Sequence, residues 1–465
     1  MNKKTILFGI IEVIADIICF FMVSVTCEFL FSRIHIETHA GWFIYGIYMI
    51  FLLAMFYFYE LYQPNLKKPQ EMMISVIISD VIAFAGTLAV ISIMRRFQSS
   101  MLFYLTMFAV SGIYFSVLHY AIAMVQKRVA GVIRLLVLES DQVPNDLARK
   151  IKYSYSDLRY SWYEIVNEQD EAQLTRLMEQ QFPNYDAIFV SPTLTEKTRN
   201  LFISRAVSLG KEIFMIPNLY NVNILNSAIA QFDDTPTIRI KPLYLTRGQR
   251  LLKRAMDITI SLIAVILSSP IMLICAIAVK IDSKGPVFYK QERMTINKKI
   301  FHVLKFRTMV QDAERVTGAT LALEDDPRIT RVGKVLRRLR LDELPQFLNI
   351  LGGSMSIVGP RPERPVFVEQ FIKEIQDYDK RYIVKAGLTG YAQIYGKYDT
   401  KPSDKLLFDL IYINQYSLLL DIKLILLTVK IMFVKESSAG VKEDSLHSAE
   451  ATSKQGAPAG VGRNE

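Results

Sequence analysis

The chain has 465 residues, a hydrophobic fraction of 51%, a charged fraction of 22% and a formal net charge of +10. That length fits about three domains, and a mean hydropathy of +0.22 beside ordinary charge density requires apolar and polar blocks to be segregated along the chain. The three cysteines all lie in apolar runs and the five histidines are scattered, which argues against a disulfide framework, structural zinc and Cys-His or Ser-His catalysis. The basic balance fits anionic partners such as lipid headgroups or nucleotides without choosing among them.

Four apolar segments fill the first part: Ile6–Phe31, Trp42–Tyr62, Met72–Met94 and Met101–Val125. Each meets the roughly 20-residue requirement for a spanning helix, and the first is too long, without a small-residue cleavage site, for a removable signal peptide. Lys3, Lys4, Lys67, Lys68, Lys127 and Arg128 fall on one side if the helices alternate, against Arg33, Arg95 and Arg96 on the other. The positive-inside rule then places both termini in the cytoplasm. Glu12, Asp16 and Asp80 lie inside these segments. Intramembrane acids suggest an ion path, but these lie toward helix ends with no matching basic partner, so a structural role is favoured over a transporter.

From about Val132 the pattern changes. IRLLVLES, YSWYEIV, DAIFVSP and EIFMIPN have strand composition, and amphipathic stretches 145–152, 168–181 and 194–209 separate them. Strands alternating with helices predict a small parallel, Rossmann-like α/β domain over 131–232. A nucleotide site would want glycines after the first strand. The chain has ESDQVPNDL there, so this domain reads as structural or regulatory. A connection from about Asp233 leads into the last large block, 233–436, and a Ser/Ala/Gly/Glu/Lys-rich tail, 437–465, has the composition of a disordered segment.

The run Ile258–Val279 is long enough to span a membrane, yet Ser268, Ser269 and Pro270 interrupt it midway. Proline removes a backbone hydrogen bond, and the serines can re-satisfy the freed carbonyls. Lys253 and Arg254 precede the run, and Lys280 and Lys284 follow it. Cations at both ends and a break at the centre fit a helix, about 253–280, that enters one leaflet and returns; the alternative is a kinked fifth span. The late segment Asp421–Lys435 is either an interfacial anchor or a core helix.

The stretch RLRLDELPQFLNILGG, Arg338–Gly353, sets Asp342 beside Glu343. Val332, Val335, Leu336 and Leu339 predict one apolar face on the preceding helix, with Arg331, Lys334, Arg337 and Arg338 around it. Asp342 sits where a helix N-cap belongs, with Pro345 in the first turn and Gly352 at the end. Arginines at a helix N-terminus make an anion site, and the same field holds a nearby carboxylate ionised and able to attack. Two carboxylates can divide the work, one as nucleophile and one as an oxygen ligand to Mg2+. Acid, cation and metal together describe phosphoryl transfer.

KRAMD, GPVFYKQER, KFRTM, LDELPQFLNILGGSMSIVGPRPE and KAGLTG, in that order between Lys253 and Lys435, together resemble the bacterial sugar transferase family, the polyprenyl-phosphate glycosylphosphotransferases. The upstream helices and α/β block look like the long-form members that act in exopolysaccharide, capsule or O-antigen synthesis. The resemblance implies a membrane enzyme of mixed α/β catalytic fold that moves sugar-1-phosphate from a UDP-sugar to polyprenyl (undecaprenyl) phosphate, with UMP released. Its site is at the cytoplasmic face of the bacterial inner membrane, with no nucleic-acid partner. It further implies Asp342 as nucleophile forming an aspartyl-phosphosugar, and Glu343 with Asp342 as holders of Mg2+. Arg337, Arg361, Lys305 and the neighbouring Arg307 would be phosphate or substrate contacts, and Ser269 and Pro270 the re-entrant break. Two positions depart from the family pattern: Ala386 replaces a proline in KAGLTG, and Thr295 stands where a glycine commonly follows the QxR element. The other readings are a non-catalytic scaffold for polysaccharide assembly and a transporter built on the four helices. The helices are further expected to help form a homodimer.

Overall fold

The computed structural model describes residues 3–33, 42–62, 69–94, 100–129, 133–140, 158–310, 326–396 and 400–432. Lys67, Lys68, Arg95, Arg96, the expected helix 145–152 and the tail 437–465 lie outside these described residues. The chain divides into two compact units, Met1–Asn218 and Leu219–Glu465.

The first unit opens with four helices: α1 (Lys3–Arg33), α2 (Trp42–Phe58), α3 (Pro69–Ile93) and α4 (Met101–Val129). The first, third and fourth are long and apolar enough to cross a membrane; α2, equally apolar, stops at Phe58 rather than Tyr62. Side chains such as Ile10, Phe21, Ile77 and Ile113 face outward, which is the surface lipid would solvate. The acids point inward. Asp80 accepts from the Tyr48 and Ser111 hydroxyls. Asp16 accepts from Tyr62 at 2.9 Å, and its other oxygen lies 3.1 Å from His119 Nε2. The expected lack of a basic partner is therefore corrected: His119, on α4, meets Asp16 on α1, a pairing that only the packed bundle creates.

Downstream, β1 (Ile133–Ser140), β2 (Leu158–Val166), β3 (Ala187–Val190) and β4 (Glu212–Met215) form one parallel sheet in the order β2-β1-β3-β4. The helices α5 (Glu171–Arg176) and α6 (Glu196–Ser208) start on Asp170 and Thr195, whose side chains accept from the first-turn amides. Leu136, Leu138, Ile188 and Val190 pack with Phe182 and Phe202 into a small core. The inner strands β1 and β3 carry the continuous, largely buried apolar runs Leu135–Leu138 and Ala187–Val190 expected of a covered parallel sheet.

The second unit begins with α7 (Leu219–Ile224) and the hairpin β5 (Ala228–Phe232) and β6 (Thr235–Arg239). Val222 is fully buried in this unit's core, so 219–232, which composition groups with the α/β domain, packs instead with the C-terminal unit. Next come α8 (Arg247–Asp282), the antiparallel pair β7 (Phe288–Met294) and β8 (Ile300–Phe306), and α9 (Arg331–Arg338). After a 3-10 turn, Leu341–Glu343, come α10 (Gln346–Leu351), β9 (Ser356–Val358), α11 (Pro365–Glu374), β10 (Gly387–Thr389), α12 (Tyr391–Tyr395), α13 (Pro402–Asn414) and α14 (Leu418–Met432). Strands β9 and β10 run parallel, and Ile350, Ile357, Val358, Leu410, Tyr412 and Leu424 centre the core around them. Asp421, Leu424, Leu427 and Lys430 of α14 are buried, so this segment is a core helix.

Helix α8 is continuous for 36 residues, about 54 Å at 1.5 Å per residue. Both of its ends are tied to this one unit. Near the start, Lys253 Nζ lies 2.6 Å from Asp421, Arg254 donates to the Ile350 and Leu351 carbonyls, and Asp257 accepts from Ser356 Oγ and Ile357 N. Near the finish, Cys275 and Val279 pack with Phe306 and Leu336, and Asp282 accepts from Val332 N at 3.1 Å. Between them Leu262, Ile266, Leu267, Leu273 and Ile274 are exposed. Pro270 lacks the N–H that would reach Ile266, and Ser269 Oγ donates to that same carbonyl at 2.8 Å.

Candidate active site

Helix α9 is N-capped by Thr330, and Gly333 lets it approach β8's exit closely: a Cβ there would fall 2.1 Å from Thr308 O. Leu336 is buried and Val332 partly so, but Val335 and Leu339 are exposed, which narrows the expected apolar face to the pair that meets α8. Two residues past the helix, Arg340 lies in the left-handed region at φ 54°. This reversal starts the 3-10 turn that carries Asp342 and Glu343. Asp342 consequently does not cap α10: the residue at that position is Pro345, with no side-chain cap, while Gly352 ends the helix as expected.

Around the acids, Lys305 from β8 puts Nζ 2.8 Å from Glu343 Oε1, and Arg361 Nη2 lies 3.8 Å from the same oxygen. Burial raises the Glu343 pKa, but Lys305 and Arg361 overcome it and hold the carboxyl at about 2. Asp342 behaves oppositely. Burial and the adjacent Glu343 push it up to about 6, against Lys305 and Arg337. The cationic field expected to keep Asp342 ionised is thus spent mainly on Glu343, and Asp342 becomes mostly ionised only as the pH rises above about 6. Arg337 is itself held by Thr308, to whose hydroxyl its Nε donates at 2.8 Å.

Lys305, Glu343 and Arg361 line one cleft with Arg293, Gln346 and Leu388. Arg307 does not line it: its Nη2 donates to Ser283 O and Oγ at 2.7 and 2.9 Å, so it fastens the end of α8. The loop bearing Arg361 is clamped by two guanidiniums. Arg293 donates to Pro362 O at 3.0 Å, and Arg381, paired with Asp409 at 2.7 Å, donates to Arg361 O at 3.1 Å. Sequence reading missed Arg293, Gln346 and Arg381. The first two sit inside the quoted motifs, QER and LDELPQ, whereas nothing in the sequence signals Arg381. The two departures from the family pattern meet: the Ala386 N–H donates to Thr295 Oγ1 at 3.1 Å, and that hydroxyl donates to Ser354 O.

Among the described residues no group of three or more His, Cys, Asp and Glu side chains gathers to hold a metal. Two adjacent carboxylates still fit Mg2+, which binds through one or two carboxylates and completes its shell with substrate phosphate and water.

The family model for "Bacterial sugar transferase" matches residues 248–435. The chain is 42% identical over 232 residues to the UDP-glucose:undecaprenyl-phosphate glucose-1-phosphate transferase of Escherichia coli (strain K12), covering 49% of this chain and 50% of that protein. It is 42% identical over 215 residues to the UDP-N-acetylgalactosamine-undecaprenyl-phosphate N-acetylgalactosaminephosphotransferase of Aeromonas hydrophila, covering 43% and 51%. The chain thus spans about half the length of these curated relatives. The Exopolysaccharide production protein PSS of Rhizobium leguminosarum bv. phaseoli is 40% identical over 189 residues, 38% of this chain and 93% of its own length. With 93% of that relative covered at 40% identity, and the family model matched over 248–435, the chain belongs to the bacterial sugar transferase family.

Proposed function

We propose that this protein transfers sugar-1-phosphate from a UDP-sugar to polyprenyl phosphate, the first membrane step in making an exopolysaccharide, capsule or O-antigen. The observation that carries the reading is the division of the acid pair: Lys305 pairs directly with Glu343 and holds it ionised, while Asp342 beside it has no direct cation contact among the described residues and is free to attack. In the first step an Asp342 carboxylate oxygen bonds to the sugar-side phosphorus. The bond from that phosphorus to the bridging oxygen breaks, and UMP leaves with the electron pair. In the second, an oxygen of the lipid phosphate attacks the same phosphorus and the Asp342 carboxylate departs. Lys305, Arg361 and Arg337 neutralise charge on the phosphoryl oxygens throughout. Asp342 and Glu343 would hold Mg2+, which when bound supplies further charge neutralisation at the diphosphate.

The reading extends to topology. A helix whose two ends are anchored to one folded unit, with exposed apolar side chains between, supports entry into a single leaflet and return at the Ser269–Pro270 break. That arrangement holds the cleft at the headgroup level of the inner membrane, on its cytoplasmic face, where a soluble nucleotide-sugar and a lipid phosphate meet. The 2-1-3-4 parallel order supports a Rossmann-like middle domain without a phosphate-binding glycine turn, and the four-helix bundle serves placement and homodimer formation. The test is UMP release from radiolabelled UDP-sugars before lipid acceptor is added. One equivalent per enzyme is expected, abolished in Asp342→Asn and by chelation; release without a covalent protein adduct would overturn the two-step scheme.

A further inference from the structure

Gln346 has no role in the chemistry above, yet it occupies the cleft. It comes one turn after the acid pair, so its side chain lies on the same face as Glu343. It lines the cleft with Lys305, Glu343, Arg361 and Arg293, and it is only 4% exposed. Neighbouring side chains with polar ends are all engaged. Glu343 is taken by Lys305, Arg293 by Gln291 and Pro362 O, and Asn349, one turn further along α10, by Leu304 N and His302 O. The Gln346 amide makes no hydrogen bond to any described residue. That amide is not one of the fully enclosed unpartnered polar groups, so its ends open to the cleft, where water or a ligand completes them.

We infer that Gln346 is a substrate-contacting residue whose side-chain N–H donates to a non-bridging oxygen of the nucleotide-sugar diphosphate. The inference rests on the transferase reading. Two observations and one electrostatic argument direct it to phosphate rather than to a sugar hydroxyl. Lys305, Arg361 and Arg293 converge on the same cleft, so its occupant is anionic. Gln346 shares the cleft with Glu343, the sequence neighbour of the proposed nucleophile Asp342, so in the proposed reaction phosphoryl oxygens come within reach of its amide. A neutral amide also adds a directed donor where another full positive charge would repel Lys305 and Arg361.

The test uses the full-length protein in membranes or detergent, with Gln346→Ala and the near-isosteric Gln346→Glu, which replaces the donor by a negative charge. With each UDP-sugar that the wild type turns over, kcat/KM for UMP release should fall roughly 10²-fold, by the same factor for every sugar and more in the glutamate variant. Gln346→Asn, which keeps the amide, should recover part of the loss. In parallel, the thermal stabilisation that pyrophosphate confers on the wild type should vanish in Gln346→Glu while the ligand-free melting temperature stays unchanged. A loss that varies with the sugar would overturn the phosphate assignment in favour of a hydroxyl contact. Unchanged kcat/KM and unchanged pyrophosphate stabilisation would overturn the inference altogether. A wild type that releases no UMP from any UDP-sugar would count against the transferase reading, and the pyrophosphate measurement would still judge Gln346.

Discussion

Thr295 and Ala386 are joined by a hydrogen bond of 3.1 Å, from the Ala386 amide to the Thr295 hydroxyl. A proline at 386 would bring no N–H, and a glycine at 295 no hydroxyl, so the two departures from the family pattern complete each other. Thr295→Gly alone strands a buried donor and the Ser354 carbonyl, and should destabilise the protein by about 1–3 kcal/mol. The double variant Thr295→Gly, Ala386→Pro should recover much of that loss. Denaturant unfolding of the four members of this cycle checks it, and strictly additive effects would contradict the pairing.

Lys305 is the direct partner of Glu343 at 2.8 Å. Lys305→Met removes the largest influence opposing burial of that carboxylate, so its pKa climbs while the proposed phosphate contact is lost. A fall in kcat/KM of roughly 10²–10³-fold is expected, with a smaller fall for Lys305→Arg. Steady-state UMP release reads both.

The reaction should have an acid limb set by Asp342. Its carboxyl is pushed up to about 6 by burial and by Glu343, and in the proposed reaction it would attack only when ionised. The rate should therefore fall about tenfold per pH unit below that value and level off above it. Arg337 lowers this pKa, so Arg337→Gln should move the limb to higher pH. Single-turnover rates from pH 5 to 8 decide, and a limb shifted downward would contradict the assignment.

Pro270 leaves Ile266 O to the Ser269 hydroxyl. Pro270→Ala restores a backbone donor and favours a straight helix, long enough to span. Cysteine placed at Lys284 should resist a membrane-impermeant reagent applied from outside in the parent protein, and become labelled in part of the Pro270→Ala population.

At the other end of the same helix, Lys253 is paired with Asp421, which also accepts from Tyr412 at 2.8 Å. Lys253→Met isolates a buried carboxyl whose pKa is already raised by burial. A loss of about 3–5 kcal/mol is expected, much of it recovered by adding Asp421→Asn. Thermal unfolding in detergent measures both.

The acid pair, its flanking cations and the serine-proline break are legible in the sequence because each is local: a few neighbouring residues carry the whole signal. Contacts between distant segments are not. His119 reaches Asp16 only once the helices pack, and Arg381 reaches Arg361 O only through the folding of α11 to α13. The cap expected of Asp342 fails for a backbone reason, since Arg340 turns left-handed where the sequence reads as continuing helix. Arg307 groups with the phosphate ligands by its place in KFRTM. Alternation alone would put Lys305 and Arg307 on one face, but β8 ends at Phe306, and beyond that end Arg307 turns to Ser283.

Position 340 sets comfort against charge. A left-handed arginine costs about 1–2 kcal/mol that a glycine would not, yet its guanidinium is one of those that keep Glu343 negative. Arg340→Gly should accordingly yield a sturdier but slower protein, and a search for heat-tolerant variants of this chain would be drawn toward this position beside the acid pair, where toughness and turnover are opposed.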